Sequence, residues 1–169
     1  EGKSAFVSSR LDGAAQLQGH EIPQSIAGAN FQTTDDRIRC DRDYTVAATF
    51  QTTGNGTLFS RCAPEGKWSP KAKALFIRGG HLVYDIGWLG AVRGGPKVND
   101  GKLHRVVLVV EDGGAEIFVD GKSVAKKKPF RADDVEGHVF KIGSAAPNFG
   151  GDFTGGTIGN VRYWSRAIA

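Results

Sequence analysis

Apolar residues along this chain recur at every second position. From Tyr44 to Phe50, the residues at 44, 46, 48 and 50 alternate with Thr, Ala and Thr, the pattern of a β-strand with one buried face. No stretch shows a convincing helical period. Similar short apolar runs predict strands over 57–62, 73–78, 82–88, 105–111, 116–120, 122–125, 139–142 and 157–164, with two earlier strands around 14–17 and 25–31.

Glycine-rich turn sequences separate these predicted strands. Asn55-Gly56, Gly79-Gly80 and Asp120-Gly121 supply residues that accept the positive φ angles of tight hairpin turns. The strand at 105–111 has Val or Leu at every position from 106 to 110, so we expect both of its faces to be buried. Such a series of hairpins closes most readily as stacked sheets. The chain is therefore predicted to be all-β, a β-sandwich of two antiparallel sheets.

Composition narrows the class of protein. The 169 residues suit one domain, so we predict a single unit over 1–169. The 22 basic and 18 acidic residues give a net charge of +4, which is too small to indicate nucleic-acid binding but suits an anionic partner. No apolar run is long enough to span a bilayer, so we predict no membrane insertion. Residues 1–10 have no signal-peptide core, and we expect the chain to be one module of a larger exported protein.

Cys40 and Cys62 are the only cysteines. They flank a predicted hairpin, so we predict a disulfide between them, with two buried thiols as the alternative. A disulfide would close a loop of about twenty residues and stabilise the fold by roughly 3 kcal/mol. It would also favour a periplasmic, cell-surface or extracellular location.

Five segments carry a resemblance to a known superfamily. They are 43–50 (DYTVAATF), 56–61 (GTLFSR), 99–106 (NDGKLHRV), 117–122 (IFVDGK) and 153–168, which ends in GNVRYWSRAI. In this order and at these spacings they resemble the laminin G-like domains of the concanavalin A-like lectin/glucanase superfamily, over nearly the whole chain. The resemblance implies a jelly-roll β-sandwich of two curved sheets, which takes ligands on its concave face or through loops at one rim.

Two positions depart from the pattern of this superfamily. Leu103 stands where tryptophan usually precedes His104, and we expect the leucine to fill the same core position with less volume. Gly159 stands where calcium-binding relatives often offer a carboxylate or a carbonyl, so an expected side-chain ligand is missing. Asn160 and Asp152 could still contribute oxygen ligands. The metal ligands are therefore unknown, and calcium is the one cofactor that we consider.

Catalytic patterns are weak. Glucan-cleaving enzymes of this superfamily project acidic residues from alternate positions of one strand, and the nearest approach here is Asp134, Glu136 and His138. We interpret that segment as a polar loop leading into the strand at 139–142. The histidines match no metal-binding motif, and neither a G-x-S-x-G elbow nor a phosphate loop is present. The sequence therefore predicts that the protein is not an enzyme, and glycan cleavage is a third hypothesis only.

Aromatic and basic residues cluster between positions 61 and 97. Sugars are held by aromatic faces and by planar, charged hydrogen-bond donors that suit carboxylate or sulfate groups. Trp68 lies in a predicted loop, whereas Tyr84 and Trp88 share parity with Leu82 and Ile86 and could equally be core residues. We predict a ligand-binding site formed by Trp68, Lys71, Tyr84, Trp88, Arg93 and Lys97.

These features favour a non-catalytic module that binds a polysaccharide or glycan, and the basic residues suit an anionic one. The alternative is a protein–protein interaction or adhesion module that uses the same sandwich without a sugar site, as many laminin G-like domains do. Loss of glycan binding on substitution of Trp68 or Trp88 would support the first hypothesis over the second.

Overall fold

The computed structural model describes residues 32–168 with their side chains and, in addition, the backbone of residues 7–9, 14–18 and 31. No helix in this described part of the chain is long and apolar enough to cross a membrane. The strands are β1 (Val7–Ser9), β2 (Ala14–Gln18), β3 (Phe31–Thr33), β4 (Tyr44–Thr52), β5 (Gly56–Cys62), β6 (Lys73–Arg78), β7 (His81–Ile86), β8 (Gly90–Gly94), β9 (Leu103–Glu111), β10 (Gly114–Val119), β11 (Lys122–Lys127), β12 (Val139–Ile142) and β13 (Gly156–Trp164).

The strands form two antiparallel sheets that pack face to face. One sheet has seven strands in the order β1-β2-β13-β4-β9-β10-β11, and the other has six in the order β3-β12-β5-β6-β7-β8. Strands distant in sequence are neighbours in both sheets, as in β13-β4-β9 and β3-β12-β5. This arrangement confirms the predicted all-β sandwich and is that of a jelly roll.

The predicted strands are recovered with small shifts of their boundaries. The sequence pattern does not predict β8, because its segment GAVRG begins and ends with glycine and has one branched apolar residue, Val92. The strand predicted at 82–88 is too long, since β7 ends at Ile86 and Trp88 turns the chain with a φ of 64°. The early strand around 14–17 is confirmed as β2. The prediction around 25–31 meets β3 only at Phe31, and residues 25–30 lie outside the described residues.

The core lies between the two sheets and is filled by alternate residues of each strand. Tyr44 and Tyr84 meet across it with their hydroxyl oxygens 2.7 Å apart, so each hydroxyl has a partner in an otherwise apolar environment. Burial raises the pKa of both hydroxyls. Other fully buried side chains of this core are Phe50, Leu58, Leu75, Ile77, Phe130 and Phe140.

The predicted disulfide is wrong, because both cysteines are buried free thiols. Cys40 belongs to the core between the sheets. Cys62 instead has its Sγ 3.5 Å from Oγ of Ser60, on the opposite face of the six-stranded sheet. The backbone of that sheet therefore separates the two sulfur atoms. Burial raises the pKa of Cys40 to about 12, so this thiol is unreactive at neutral pH.

The start of β9 differs from the expected packing. Leu103 does not fill a core position, because its side chain is 68% exposed. The next residue, His104, points to the other side of the strand, where its Nδ1 lies 2.8 Å from Asp120 and its Nε2 lies 3.0 Å from Asp100. His104 therefore forms hydrogen bonds beside the core, and it ties β9 to the β10–β11 turn.

His104 is expected to make stability depend on pH. Burial lowers the pKa of His104, but the hydrogen bonds and charges of Asp120 and Asp100 outweigh burial and raise it overall. Because the pKa is higher in the folded state than in the unfolded state, protonated His104 stabilises the fold. This stabilisation is fully present below the unfolded-state pKa of about 6.5 and is lost as pH rises through the folded-state pKa. His104→Gln should therefore lower the melting temperature more at pH about 5.5 than at pH about 8.5. Thermal unfolding of both proteins checks this, and a difference that does not shrink as pH rises would contradict it.

Candidate ligand-binding site

The face of the six-stranded sheet that points away from the core carries a mixed polar and aromatic surface. Because strand residues alternate, Phe76 and Arg78 of β6, Val83 and Asp85 of β7 and Arg93 of β8 all point to this side. Phe76 and Val83 form its apolar floor, in a small cluster separate from the main core. The outer-face site is the set of five residues that stand on or pack over this floor: Trp68, Arg78, Asp85, Arg93 and Phe149.

Two arginines of the outer-face site lack an acidic partner among the described residues. The Arg78 guanidinium lies over the rings of Phe76 and Phe149, with Cζ 4.8 and 5.7 Å from the two centroids. Arg93 reaches toward the β6–β7 turn, where Nη2 lies 3.8 Å from the position that a Cβ on Gly79 would take. Neither arginine forms a salt bridge with any described residue. A guanidinium stacked on an aromatic ring keeps its N–H groups at its edge, so Arg78 can donate to an anion. Arg93 is exposed and can donate in the same way.

An aromatic pair lies next to these arginines. Trp68 and Phe149 stack with their ring centroids 4.1 Å apart and 9° between the planes. Phe149 also meets Phe76 edge-on at 5.4 Å, and the Trp68 backbone N–H donates to Asn148 Oδ1 at 2.8 Å. These contacts hold two loops together over the sheet. Trp68 and Phe149 are both half-buried, so part of their surface is available to a sugar ring.

Asp85 is the one carboxylate on the described strands of this sheet. Burial raises its pKa, and the positive charges of Arg78 and Lys127, with a hydrogen bond from Trp68, offset this only in part. The ionised carboxylate is an acceptor of hydrogen bonds only. The outer-face site therefore combines cationic donors, an aromatic surface and one acceptor that suits hydroxyl groups.

One end of this site is closed by two loops that are joined by backbone hydrogen bonds. The backbone N–H of Lys71 donates to the carbonyl of Gly87 at 2.9 Å, and the N–H of Gly87 donates to the carbonyl of Ala72 at 2.7 Å. Trp88 follows with a positive φ of 64° and a side chain that is 74% exposed. A non-glycine residue in this conformation is strained, and an exposed tryptophan gains little from packing. Trp68, Lys71 and Trp88 are called the rim below.

The structure places five of the six predicted ligand-binding residues around one sheet face. Trp68, Lys71 and Trp88 form the rim, where Lys71 also pairs with Asp133 at 2.9 Å. Arg93 lies on the face itself. Lys97 packs beside Gly80 in the β6–β7 turn, at the end of the hairpin opposite the rim.

Tyr84 does not belong to the site, because its side chain is 1% exposed and points into the core. Tyr84 packs in the core with Leu82 and Ile86, the two residues that share its parity. This was the alternative interpretation of Tyr84 in the sequence. Trp88 shares the same parity but escapes the core, because the strand ends at Ile86 and alternation no longer applies in the turn.

Sequence reasoning missed Asp85 and Phe149 as site residues and placed Arg78 only in the wider basic cluster. Asp85 has a usable signal, since a charged residue between two core residues of one strand must point outward. Phe149 has no local signal. It lies in a loop distant in sequence, and only the packing of that loop over the sheet brings it to Trp68.

The acidic segment considered for catalysis does not form a shared face. Asp134 is a buried structural charge, since its carboxylate is 6% exposed, accepts from Lys73 Nζ at 2.8 Å and lies 3.6 Å from Arg61 Nε. Glu136 is exposed in a turn. His138 is buried, and burial together with the charges of Lys73 and Arg61 lowers its pKa. The segment is a polar loop before β12, as its sequence predicts.

The described part of the chain contains no group of three or more histidine, cysteine, aspartate or glutamate side chains placed to hold a metal ion. Asn160 lies in a bulge of β13, where its amide donates to Thr49 Oγ1 at 3.3 Å. Asp152 lies beside Gly56 at the start of β5. Calcium bound through backbone carbonyls or other oxygens remains a prediction.

The fold is similar to solved structures of glycan-binding and laminin domains. The CBM40 domain of the Ruminococcus gnavus IT-sialidase, bound to α2,3-sialyllactose, superimposes with a TM-score of 0.73 at 15% identity, over 91% of this chain and 92% of that chain. The leech intramolecular trans-sialidase gives 0.68 at 16% identity, over 91% of this chain and 26% of that chain. Domains LG4-5 of the mouse laminin α1 chain give 0.56 at 21% identity, over 78% and 39%. At these identities the likeness concerns the fold.

Comparison by sequence gives a family. No curated protein sequence matches the chain significantly. A family model described as the concanavalin A-like lectin/glucanases superfamily matches residues 25–169, which is most of the chain and includes all five motifs that carry the resemblance. With the two-sheet jelly roll, this match assigns the chain: it belongs to the concanavalin A-like lectin/glucanases superfamily.

Proposed function

We propose that the protein is a non-catalytic carbohydrate-binding module that recognises an acidic glycan at the outer-face site and its rim. The observation that carries this proposal is the pair of unpartnered arginines, Arg78 and Arg93, beside the stacked Trp68–Phe149 pair among the described residues. These groups match the two parts of an acidic sugar. Guanidinium groups bind a carboxylate or sulfate, and an aromatic surface packs against the C–H groups of the ring.

Similar solved structures support this choice of ligand. CBM40 domains of the Ruminococcus gnavus IT-sialidase were solved with α2,3-sialyllactose and with α2,6-sialyllactose. Sialic acid carries one carboxylate and several hydroxyl groups, which complement the arginines and Asp85. A sialylated glycan is therefore the first ligand to test.

The dimensions of the site favour an oligosaccharide over a single sugar. The β6–β7 hairpin runs between the turn beside Lys97 and the rim at Trp88. Six strand residues extend over about 17–20 Å. A glycan of several units could therefore contact the arginines at one end and the rim tryptophans at the other.

The acidic residues of this face support a role in binding and not in cleavage. Glycoside hydrolases of most families use two carboxyl groups, roughly 5–10 Å apart, on either side of the scissile bond. On the described strands of the six-stranded sheet Asp85 stands alone, and Asp134 is enclosed by Lys73 and Arg61. These strands would thus offer a glycan bound at the outer-face site one carboxyl group and not the two that cleavage requires.

The proposed site predicts a carboxylate-dependent affinity. In isothermal titration calorimetry we expect sialyllactose to bind at least about tenfold more tightly than lactose, which lacks the carboxylate. Replacing Arg78 and Arg93 together by Gln should weaken sialyllactose binding by about 10- to 100-fold. The matched control replaces Arg37 and Arg131 by Gln, which removes the same charge from residues already in salt bridges. This control should bind as the wild type does.

Equal binding of lactose and sialyllactose, or wild-type affinity in the Arg78/Arg93 variant, would contradict the proposal. The same titration with calcium and then with EDTA tests the calcium prediction. An acidic-glycan ligand also leads us to expect an extracellular, cell-surface or periplasmic location for the larger protein. That expectation rests on the ligand alone, since the two cysteines are free.

A protein–protein adhesion module is the second candidate function, and one observation favours it. Trp88 and Leu89 are neighbouring exposed apolar side chains, at 74% and 47% exposure, on the tip of the β7–β8 turn. Exposed aromatic residues of this kind are enriched in protein interfaces. This candidate predicts no response to any glycan and a protein partner whose binding is lost when Trp88 and Leu89 are replaced by Ser.

A further inference from the structure

His138 is a buried histidine that contacts the loop carrying Trp68. This loop, 63–72, joins β5 to β6. His138 is 8% exposed, and its Nε2 lies 3.4 Å from Oγ of Ser69, the residue after Trp68. The backbone N–H of His138 donates to the carbonyl of Val135 at 3.1 Å, and β12 begins at the next residue. The imidazole is therefore carried on a fixed backbone, and its one hydrogen-bond partner among the described residues belongs to a loop.

The surroundings of His138 suit a neutral imidazole. The charged groups around it are Arg61 of β5, Lys73 of β6, Lys141 of β12 and Asp134 of its own loop, three cations and one anion. Its Nδ1 is buried and has no hydrogen-bond partner among the described residues. A neutral ring can leave this nitrogen without a proton, whereas an imidazolium ion carries N–H groups on both nitrogens. Protonation of the ring would therefore create a buried donor without an acceptor.

The one carboxylate among these groups is already engaged. Asp134 Oδ1 accepts from Lys73 Nζ at 2.8 Å, and Oδ2 accepts from the backbone N–H of Cys40 at 2.8 Å. Glu136 lies in the turn before His138 but is exposed, so water screens its charge from a buried group. A protonated His138 would thus add a fourth cation to this buried cluster.

The loop at 63–72 is the element that can move to admit this charge. Its residues 64–67 and 70–71 are exposed. The neighbouring strands β5, β6 and β12 are instead buried along nearly their whole length. Segments with few buried contacts open at a lower free energy than core strands do. Displacement of Ser69 would expose the imidazole to water, which solvates its charged form.

We propose that protonation of His138 opens the loop at 63–72, so that the position of Trp68 depends on pH. Burial and the charges of Lys73 and Arg61 lower the pKa of His138 while the loop is closed. In the open loop the pKa returns toward its ordinary value of about 6.5. The closed loop is therefore fully favoured above pH about 6.5. As pH falls below this value, the open loop takes up the proton first and gains on the closed loop by at most about tenfold per pH unit.

The consequence for ligand binding rests on the function proposed above. Trp68 belongs both to the outer-face site and to its rim, where it stacks on Phe149. Opening of the loop would break this aromatic surface. A module built in this way would hold its glycan at neutral pH and release part of it in acid.

Nuclear magnetic resonance of the ¹⁵N-labelled protein without ligand tests the proposal. We expect the Ser69 amide and the Trp68 indole N–H to shift as pH falls from about 7.5 to about 5, with the same midpoint as the His138 imidazole. The indole N–H of Trp164, on the other sheet, should shift little and serves as an internal control. A His138 ring that titrates without any shift at Ser69 would overturn the proposal, and this test needs no variant.

Two variants assign the titration to one group. His138→Gln, which stays neutral, should abolish the pH-dependent shift at Ser69. Asp85→Asn is the matched control, because Trp68 donates a hydrogen bond to the Asp85 carboxylate and burial raises the pKa of Asp85. The shift at Ser69 should persist in this control. A shift that survives in His138→Gln and disappears in Asp85→Asn would assign the pH dependence to Asp85 and reject the role of His138.

Calorimetry with sialyllactose then tests the consequence for binding. Between pH about 7.5 and pH about 5.5, we expect the affinity of the wild type to fall about three- to tenfold more than that of His138→Gln. Equal losses in the two proteins would mean that the loop does not regulate the site. Absence of sialyllactose binding at both pH values would reject the proposed function, while the ligand-free titration of Ser69 still decides whether His138 opens the loop.

Discussion

Replacing Asp134 with Ala should lower the free energy of unfolding by about 3–5 kcal/mol. The Asp134 carboxylate is 6% exposed and accepts from Lys73 Nζ at 2.8 Å, and Lys73 is itself 2% exposed. Arg61, 8% exposed, lies 3.6 Å from the same carboxylate. Without Asp134, two buried cations would lose this anion, and the backbone N–H of Cys40 would lose its acceptor.

The neighbouring Asp133 provides a matched control. Its side chain is 80% exposed and pairs with Lys71, so Asp133→Ala should leave the free energy of unfolding nearly unchanged. Chemical denaturation followed by tryptophan fluorescence measures all variants. Adding Lys73→Met to Asp134→Ala should recover part of the loss, because it removes one uncompensated buried charge. An Asp134→Ala protein as stable as the Asp133→Ala control would show that the buried charges are not coupled.

Gly87→Ala should separate the loops of the rim, lowering the free energy of unfolding by about 1–3 kcal/mol and weakening sialyllactose binding about tenfold or more. A Cβ on Gly87 would lie 2.1 Å from the carbonyl oxygen of Ser69 and 3.3 Å from Trp68 Nε1. The Ser69 carbonyl belongs to the backbone and cannot rotate away as a side chain could. Relief of the clash must displace the loop that carries Trp68, so stability and binding should fall together.

Gly113→Ala controls for the general cost of replacing a glycine. Gly113 has a positive φ of 73°, but no atom lies within 4 Å of its Cβ position. Its substitution should cost about 1 kcal/mol through backbone strain alone and leave sialyllactose binding unchanged. Denaturation and calorimetry on both variants give the comparison. Wild-type affinity in Gly87→Ala would mean that the rim takes no part in binding.

The disulfide and Leu103 show where local pattern fails as a guide to packing. Two cysteines flanking a hairpin are close in sequence, yet Cys40 faces the core and Cys62 faces the other side of the sheet. Leu103 occupies a position that tryptophan takes in the superfamily, but it lies at the exposed start of β9. For Cys62 and Leu103 the direction of the side chain is set by which face of the strand is buried, whereas Cys40 lies in the loop before β4.

The sequence by itself determined the all-β class, most strand boundaries and the region that carries the candidate ligand residues. It could do so because a period of two and glycine at tight turns are local consequences of backbone geometry. Tertiary structure alone decided which residues share a surface. Alternation separates Tyr84 from Asp85, and the charge of Asp85 indicates that Tyr84 is the buried one, but the contact of Tyr84 with Tyr44 follows only from the packing of the two sheets. The stacking of Phe149 on Trp68 likewise depends on a contact between segments far apart in sequence, which no local pattern encodes.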